Sequence, residues 1–146
     1  EAGAKTTFGA PLKAPKRNYL YLLRSSDNGK TWSKPKDITG QVLIKQDGTF
    51  LGVAPGVGLT THKGRVIMPL YVDRKQTVSI YSIDDGENWH RMAGHPYAEN
   101  VDEWQMVQAP SGAIIGLGRA KTYGKTPMSI SYDDGKTWIN AGKTDL

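Results

Sequence analysis

The chain of 146 residues contains no cysteine and no apolar run long enough to cross a membrane as a helix. Without cysteine there is no disulfide framework and no metal site built on thiolates. A membrane-spanning helix needs roughly 18 or more apolar residues in succession, and no segment approaches this, so we expect no membrane span. A sustained helical period with caps at both ends is missing as well. We therefore expect a globular chain that needs no metal and no cofactor.

Basic residues outnumber acidic ones by 19 to 14, which gives a formal net charge of +5. Part of this charge lies in residues 1–18, a stretch rich in Gly, Ala, Lys and Pro that predicts an irregular lead-in. A basic balance favours an anionic ligand, and nucleic acid is the usual one. No recognised nucleic-acid-binding motif accompanies the charge, so we interpret it as aiding solubility and expect no nucleic-acid partner.

The composition that is present, with 17 glycines and 8 prolines, is typical of short strands joined by tight turns. Apolar and aromatic runs predict strands at 18–24, 65–72, 77–81, 103–108, 113–118 and 127–131. Between the runs 103–108 and 113–118 stands Ala109-Pro-Ser-Gly112, whose Pro and Gly predict a hairpin. The predicted fold class is all-β.

One eight-residue phrase, Ser-x-Asp-x-Gly-x-Thr/Asn-Trp, occurs three times, at 25–32, 82–89 and 131–138. Its aspartates, Asp27, Asp84 and Asp133, are 57 and then 49 residues apart. A period near 50 residues is typical of repeated units such as propeller blades. We expect each Asp to accept N–H groups of its own turn, each Gly to take a positive φ and each Trp to fold back as an apolar plug. The phrase is thus predicted to be structural, with no catalytic role.

The repeated phrase resembles the Asp box, or bacterial neuraminidase repeat, of the sialidase family. Two segments between the boxes resemble that family more specifically, namely 50–59 with the following 64–71, and 103–119. The second matches, without a gap, a family pattern that begins with Glu and ends with Arg 16 residues later. The resemblance implies that residues 1–146 form part of a six-bladed β-propeller, with about three four-stranded antiparallel blades. It also implies that the boxes lie on outer hairpins, away from the active site.

The resemblance implies roles for four side chains. Glu103 falls on the glutamate that hydrogen-bonds a nucleophilic tyrosine, and Arg119 falls on one of three arginines that clamp the sialic acid carboxylate. Phe50 and Tyr71 match aromatic residues that form a wall for the sugar's side chains, and a place in the blade core explains them equally well. Taken singly, Glu103 and Arg119 are also explained as solvated surface residues. Their joint spacing across the predicted hairpin favours the site.

Several parts of the family pattern have no match in the 146 residues. These are the acid/base aspartate, the nucleophilic tyrosine and two of the three arginines; Tyr97, Tyr123 and Tyr132 stand in the wrong places for that tyrosine. Trp104 replaces a usually small residue, and Gln108 replaces a common glutamate. General acid catalysis alone supplies about 10²–10⁴-fold, so we expect this chain by itself to be inactive.

Two functions of different classes agree with the sequence. The first is a portion of an exo-α-sialidase, a glycoside hydrolase that releases terminal sialic acid from glycoconjugates, within a secreted or cell-surface protein. The alternative is a non-catalytic Asp-box propeller segment that binds carbohydrate or protein. Because three blades leave open sheet faces, we also expect the remaining blades or another copy of the chain as partners.

Overall fold

The computed structural model describes residues 18–44, 47, 50–72, 76–94, 96–97, 101–120 and 124–144. Over these ranges the chain forms eleven strands and one short helix, α1, which confirms the all-β prediction. The elements in chain order are β1 (Tyr21–Leu22), β2 (Lys36–Asp37), α1 (Thr39–Val42), β3 (Leu51–Val53), β4 (Leu59–Thr60), β5 (Val66–Val72), β6 (Gln76–Ser82), β7 (His90–Arg91), β8 (Val101–Gln108), β9 (Ile114–Ala120), β10 (Thr126–Ser131) and β11 (Ile139–Thr144). None of the helices in the described ranges is long and apolar enough to cross a membrane.

The strands form three antiparallel sheets, which we call blades 1, 2 and 3. Blade 1 consists of β1 and β2, blade 2 has the order β3-β5-β6-β7, and blade 3 has the order β8-β9-β10-β11. In blade 2, β3 and β4 pair with opposite ends of β5, so together they act as one interrupted first strand. The Asp boxes connect β1 to β2, β6 to β7 and β10 to β11, always the last two strands of a sheet. The described residues thus give two four-stranded blades and, in blade 1, one two-stranded sheet.

The hydrophobic core lies between the blades. One buried cluster joins blade 1 to blade 2 and includes Leu20, Ile38 and Leu70. A second cluster joins blade 2 to blade 3 and includes Ile67 and Trp104. Strand β5 contributes to both, because successive side chains of a strand point to opposite faces. Burial of apolar surface on both faces is what holds the neighbouring sheets together.

The three Asp boxes share one set of hydrogen bonds. In the second box, Asp84 accepts the N–H of Asn88 at 2.9 Å and the hydroxyl of Ser82 at 2.7 Å, while Ser82 accepts the N–H of Gly86 at 2.8 Å. The corresponding bonds recur in the first and third boxes. The predicted bonding of the Asp and the positive φ of the Gly are therefore confirmed.

The turn also contains a feature that the sequence pattern did not reveal. The residue before each Gly is left-handed too, with φ values of 60° at Asn28, 54° at Asp85 and 65° at Asp134. Asn and Asp tolerate this region better than other residues with a Cβ, which explains why all three positions carry them.

The prediction of a tryptophan plug is right for one box and wrong for another. In both the first and second boxes the indole N–H returns to the carbonyl of the box glycine. Trp89 is only 5% exposed, whereas Trp32 is 61% exposed. Trp89 belongs to the first buried cluster, which also contains Leu20 and Ile38 beside the strands of blade 1. The described residues give Trp32 no comparable cover, so the turn alone does not bury the ring.

Candidate functional site

Strand β8 contains a bulge near its start. Its pairing with β9 shifts between Val101 and Trp104. As a result, the two residues Asp102 and Glu103 together oppose Arg119. Bulges re-aim side chains and are common beside active sites. The carboxylate of Asp102 accepts the N–H of Glu103 at 2.7 Å, which satisfies a backbone donor at the point where the ladder is interrupted.

Glu103 and Arg119 form an ion pair across this bulge. Nη1 of Arg119 donates to Oε2 of Glu103 at 2.7 Å, and the side chains are 66% exposed for Arg119 and 37% for Glu103. The hydrogen bond and charge of Glu103, followed by the charge of Asp102, raise the pKa of Arg119 above its ordinary value. The turn at 109–112 is a hairpin, closed by the N–H of Gly112 on the carbonyl of Ala109 at 2.9 Å. This hairpin brings the two predicted site residues into direct contact.

Phe50 and Tyr71 also lie together. Their ring centroids are 5.4 Å apart with an interplanar angle of 40°, and both residues are half-buried. Gly52 pairs with Tyr71 across β3 and β5, and a Cβ added at Gly52 would come within 2.8 Å of Phe50 and 3.0 Å of Tyr71. A glycine at this position therefore leaves room for the two rings. Half-burial agrees with either predicted role, a sugar-facing wall or the edge of the blade core.

Tyr71 faces blade 3, where the ion pair lies. Along β5, Leu70 and Val72 belong to the cluster shared with blade 1, whereas Ile67 and Tyr71 pack on the cluster shared with blade 3. Tyr71 is close enough to Arg119 to add to the rise in the pKa of that guanidinium. The aromatic pair and the ion pair thus border the same seam between blades 2 and 3.

Trp104 crosses this seam. It is only 1% exposed, and its Nε1 donates to the carbonyl of Leu70 at 2.9 Å. Its ring meets Trp138 edge to face at a centroid distance of 5.7 Å. In the sequence Trp104 was notable only as a departure from the family pattern. Its signal in the sequence was a large aromatic residue inside the predicted strand 103–108, which favours a buried position.

The comparisons with known proteins agree with this architecture. The model of the BNR repeat-like domain family matches residues 7–146. The chain belongs to that family. A sialidase of Bacteroides fragilis (strain YCH46) is 36% identical over 124 residues, which cover 82% of this BNR repeat chain and 22% of that protein. The resemblance to sialidases is therefore confirmed.

Solved structures of sialidases are similar to the BNR repeat chain. The Hadza microbial sialidase Hz136 superposes with a TM-score of 0.77 at 30% identity, over 88% of this chain and 25% of that one. The intramolecular trans-sialidase from Ruminococcus gnavus gives 0.76 at 29% identity, over 88% and 27%. The chain thus has the fold of part of a sialidase propeller, and it spans about a quarter of the length of these sialidases.

Of the three tyrosines that stand in the wrong places for the nucleophile, the structure describes two in the BNR repeat chain, Tyr97 and Tyr132. Burial raises the pKa of Tyr97 to about 12, and its hydroxyl donates to the carbonyl of Gly116 at 2.6 Å. Tyr132 is 71% exposed in the third Asp box. Tyr123 lies outside the described residues.

The second departure from the family pattern, Gln108, is also a link between blades. Its Oε1 accepts the N–H of His62 from blade 2 at 2.7 Å, and its Nε2 donates to the carbonyl of Gly112 at 2.8 Å. The amide therefore serves both as acceptor and as donor, which a glutamate carboxylate cannot do. Trp104 and Gln108, the two residues that depart from the pattern, both connect blade 3 to blade 2.

Proposed function

We propose that this chain supplies part of the sialic acid site of an exo-α-sialidase, a glycoside hydrolase that releases terminal sialic acid from glycoconjugates. The observation that carries the proposal is the contact between Glu103 and Arg119 on the β8 bulge, in a chain whose relatives are named sialidases. In this proposal Glu103 activates a tyrosine nucleophile, and Arg119 binds the carboxylate of the substrate.

The carboxylate of Glu103 suits the activation of a phenol. A tyrosine hydroxyl has an ordinary pKa of about 10 and needs a neighbouring base to accept its proton. Arg119 holds Oε2 of Glu103, and the side chain is 37% exposed, so Oε1 can accept a hydrogen bond from a phenol placed beside it. A tyrosine nucleophile also suits a substrate that already carries a carboxylate, and sialidases are a noted exception to the scheme of two catalytic carboxylates.

The guanidinium of Arg119 suits the binding of that substrate carboxylate. A guanidinium has five N–H donors in a planar fork, and Glu103 occupies Nη1. With 66% of the side chain exposed, the other donors can form two parallel bonds with a carboxylate. Phe50 and Tyr71, across the seam, would then flank the sugar.

The rest of the site would come from elsewhere. We propose that the remaining propeller blades, or another copy of the chain, bring the acid/base aspartate, the nucleophilic tyrosine and two further arginines. Sialylated glycans, the proposed substrates, lie mostly outside the cell. We therefore propose a secreted or cell-surface location for the protein.

The test uses the complete protein that carries this sequence and a fluorogenic sialoside. Glu103→Gln removes the base and should lower kcat by about 10²–10⁴-fold. Arg119→Ala removes the guanidinium that binds the substrate carboxylate and should lower kcat/KM by at least roughly a hundredfold.

The matched controls are Glu87→Gln and Arg24→Ala. These residues form an ion pair of 2.9 Å that is also partly exposed, at the second Asp box. Under the proposal both controls keep turnover within about twofold of the unchanged protein. If the Glu103 and Arg119 variants are no more affected than these, or if the unchanged protein binds sialosides without cleaving them, the non-catalytic alternative replaces the proposal.

A further inference from the structure

Trp104 and Leu70 connect the two halves of the candidate site. Trp104 follows Glu103 directly on blade 3, and Leu70 directly precedes Tyr71 on blade 2. The hydrogen bond from the indole to the carbonyl of Leu70, at 2.9 Å, therefore joins two residues that are each one peptide away from a site residue. We propose that Trp104 is a positioning residue, whose indole holds the Glu103–Arg119 pair in register with Tyr71; this rests on the proposed function.

A hydrogen bond between blades 2 and 3 matters here because their strands belong to separate sheets and share no backbone ladder. Within a blade, the backbone ladder fixes the register of the strands. Between blades 2 and 3, the second cluster supplies apolar packing, which has no preferred direction, and the bonds of Gln108 and Arg65 lie towards the other end of β8 and β5. A hydrogen bond depends on both distance and angle, so it resists sliding of one sheet past the other. The bond from Trp104 supplies this constraint close to the seam on which the aromatic pair and the ion pair lie.

The indole is itself held in place. Its ring meets Trp138 at 5.7 Å and Tyr97 at 6.5 Å, both edge to face. Tyr97 is anchored in turn by its hydroxyl, which donates to the carbonyl of Gly116 at 2.6 Å and lies 3.0 Å from the carbonyl of Pro127. With 1% of its surface exposed, Trp104 has no room to adopt another rotamer without disturbing these rings. The position of the indole is therefore transmitted to β8.

The bulge makes Glu103 sensitive to that position. On one side of Glu103 the carboxylate of Asp102 binds its N–H, and on the other side Trp104 is fixed to blade 2. The direction of the Glu103 carboxylate is thus set from both neighbours in the chain. A catalytic geometry that shifts by about 1 Å can cost roughly a hundredfold in rate, so even partial loss of this constraint is measurable.

The test compares Trp104→Phe with Trp89→Phe in the complete protein. Trp89 is the matched control, since it is 5% exposed and donates its indole N–H to a carbonyl, that of Gly86, at 3.0 Å within its own hairpin. Both changes remove one buried hydrogen bond and should lower the unfolding midpoint to a similar extent. Trp104→Phe should in addition lower kcat about tenfold with KM changed less than about threefold, whereas Trp89→Phe should leave both within about twofold.

A second readout does not depend on turnover. The side-chain ¹⁵N–¹H resonances of Arg119 report its contact with Glu103, and they should move in Trp104→Phe and stay in place in Trp89→Phe. If Trp104→Phe fails to fold, benzothienylalanine at position 104 keeps the shape of the ring and removes only the N–H donor.

Equal effects of the Trp104 and Trp89 changes on kcat and on the Arg119 resonances would overturn the positioning role. Failure of the proposed function gives a different result. In that case Glu103→Gln leaves turnover unchanged, and the Arg119 resonances still test whether Trp104 positions the ion pair.

Discussion

Arg65 of blade 2 binds Asp134 of the third Asp box twice, at its backbone carbonyl at 2.9 Å and at its carboxylate at 3.1 Å. The guanidinium also lies 4.8 Å from the centroid of the Tyr81 ring. In the second box, Asp85 receives Arg24 of blade 1 on the equivalent carbonyl. In these two boxes, the left-handed residue before the Gly thus presents its carbonyl to the preceding blade. The Asp box therefore serves as a contact between blades as well as a turn.

Removing Arg65 should destabilise the protein more than removing Arg24. The side chains of Arg65 and Asp134 are only 17% and 7% exposed, so Arg65→Met leaves a buried carboxylate without its cation. We expect a loss of about 3 kcal/mol in the free energy of unfolding. Arg24→Met breaks a largely exposed pair and should cost less than about 1 kcal/mol. Urea unfolding of the two variants checks this, and equal losses would contradict it.

The Asp boxes should lose stability in acid. The side-chain and backbone hydrogen bonds from Thr31, together with that from Ser25, lower the pKa of Asp27 from 3.8 to about 2. The N–H and side chain of Asn88, together with the hydroxyl of Ser82, lower the pKa of Asp84 as well. A carboxyl whose pKa is lower in the folded state stabilises the fold fully above its ordinary pKa. This contribution is lost as the pH falls through the folded value, here from about 4 towards 2.

Asp84→Asn isolates this contribution. The amide retains an acceptor oxygen but carries no charge, so the variant should be less stable than the unchanged protein at pH 7. The difference should shrink as the pH falls below about 4, because the unfolded chain then takes up a proton at this carboxyl that the folded turn does not. Thermal unfolding between pH 7 and pH 2 measures it. A difference that stays constant with pH would contradict the prediction.

Replacing Gly52 should disturb the aromatic pair. A Cβ there would come within 2.8 Å of Phe50 and 3.0 Å of Tyr71, and the rings must move to admit it. Under the proposed function Gly52→Ala should raise KM for a sialoside roughly three- to tenfold with a smaller change in kcat. Gly40→Ala is the control, because nothing lies within 4 Å of a Cβ at that position. An unchanged KM in Gly52→Ala would support the alternative place of the two rings in the blade core.

Asp102 should support the bulge through its oxygen and not through its charge. Asp102→Asn keeps an acceptor for the N–H of Glu103, whereas Asp102→Ala removes it. We therefore expect Asp102→Ala to lose about 1 kcal/mol of stability and Asp102→Asn to lose much less. Chemical denaturation of both variants distinguishes these outcomes. Similar losses in the two variants would mean that the charge near Arg119 matters more than the hydrogen bond.

Local patterns in the sequence predicted the local structure well. The boxes, the hairpin at 109–112 and the all-β class each depend on residues close together in the chain, such as Ser82 and Asp84. The hairpin also explains why Glu103 and Arg119 meet, because their 16-residue separation is spanned by two paired strands. The β8 bulge was not predicted, since no residue type marks it uniquely.

Contacts between blades could not be predicted in the same way. Trp104 and Leu70 are 34 residues apart, and no periodicity links an indole to a particular carbonyl. The same reason explains the error at Trp32, since its exposure depends on what lies beside the turn and not on the turn itself. The packing of one sheet on another depends on the whole fold. The repeated phrase contains only the residues that its copies share, so it does not predict contacts that differ between them.

Strand β5 connects the core between blades 1 and 2 with the candidate site. Leu70 and Val72 face blade 1, and the intervening Tyr71 faces the opposite seam. A strand in a close-packed sheet moves as a unit, so a volume change on one face is transmitted to the other. Substitutions at Leu70 or Val72, the direct neighbours of Tyr71 on β5, can therefore alter the position of Tyr71 without touching the site. Blade 1 packs on Leu70 and Val72, so a single strand, β5, separates it from the candidate site.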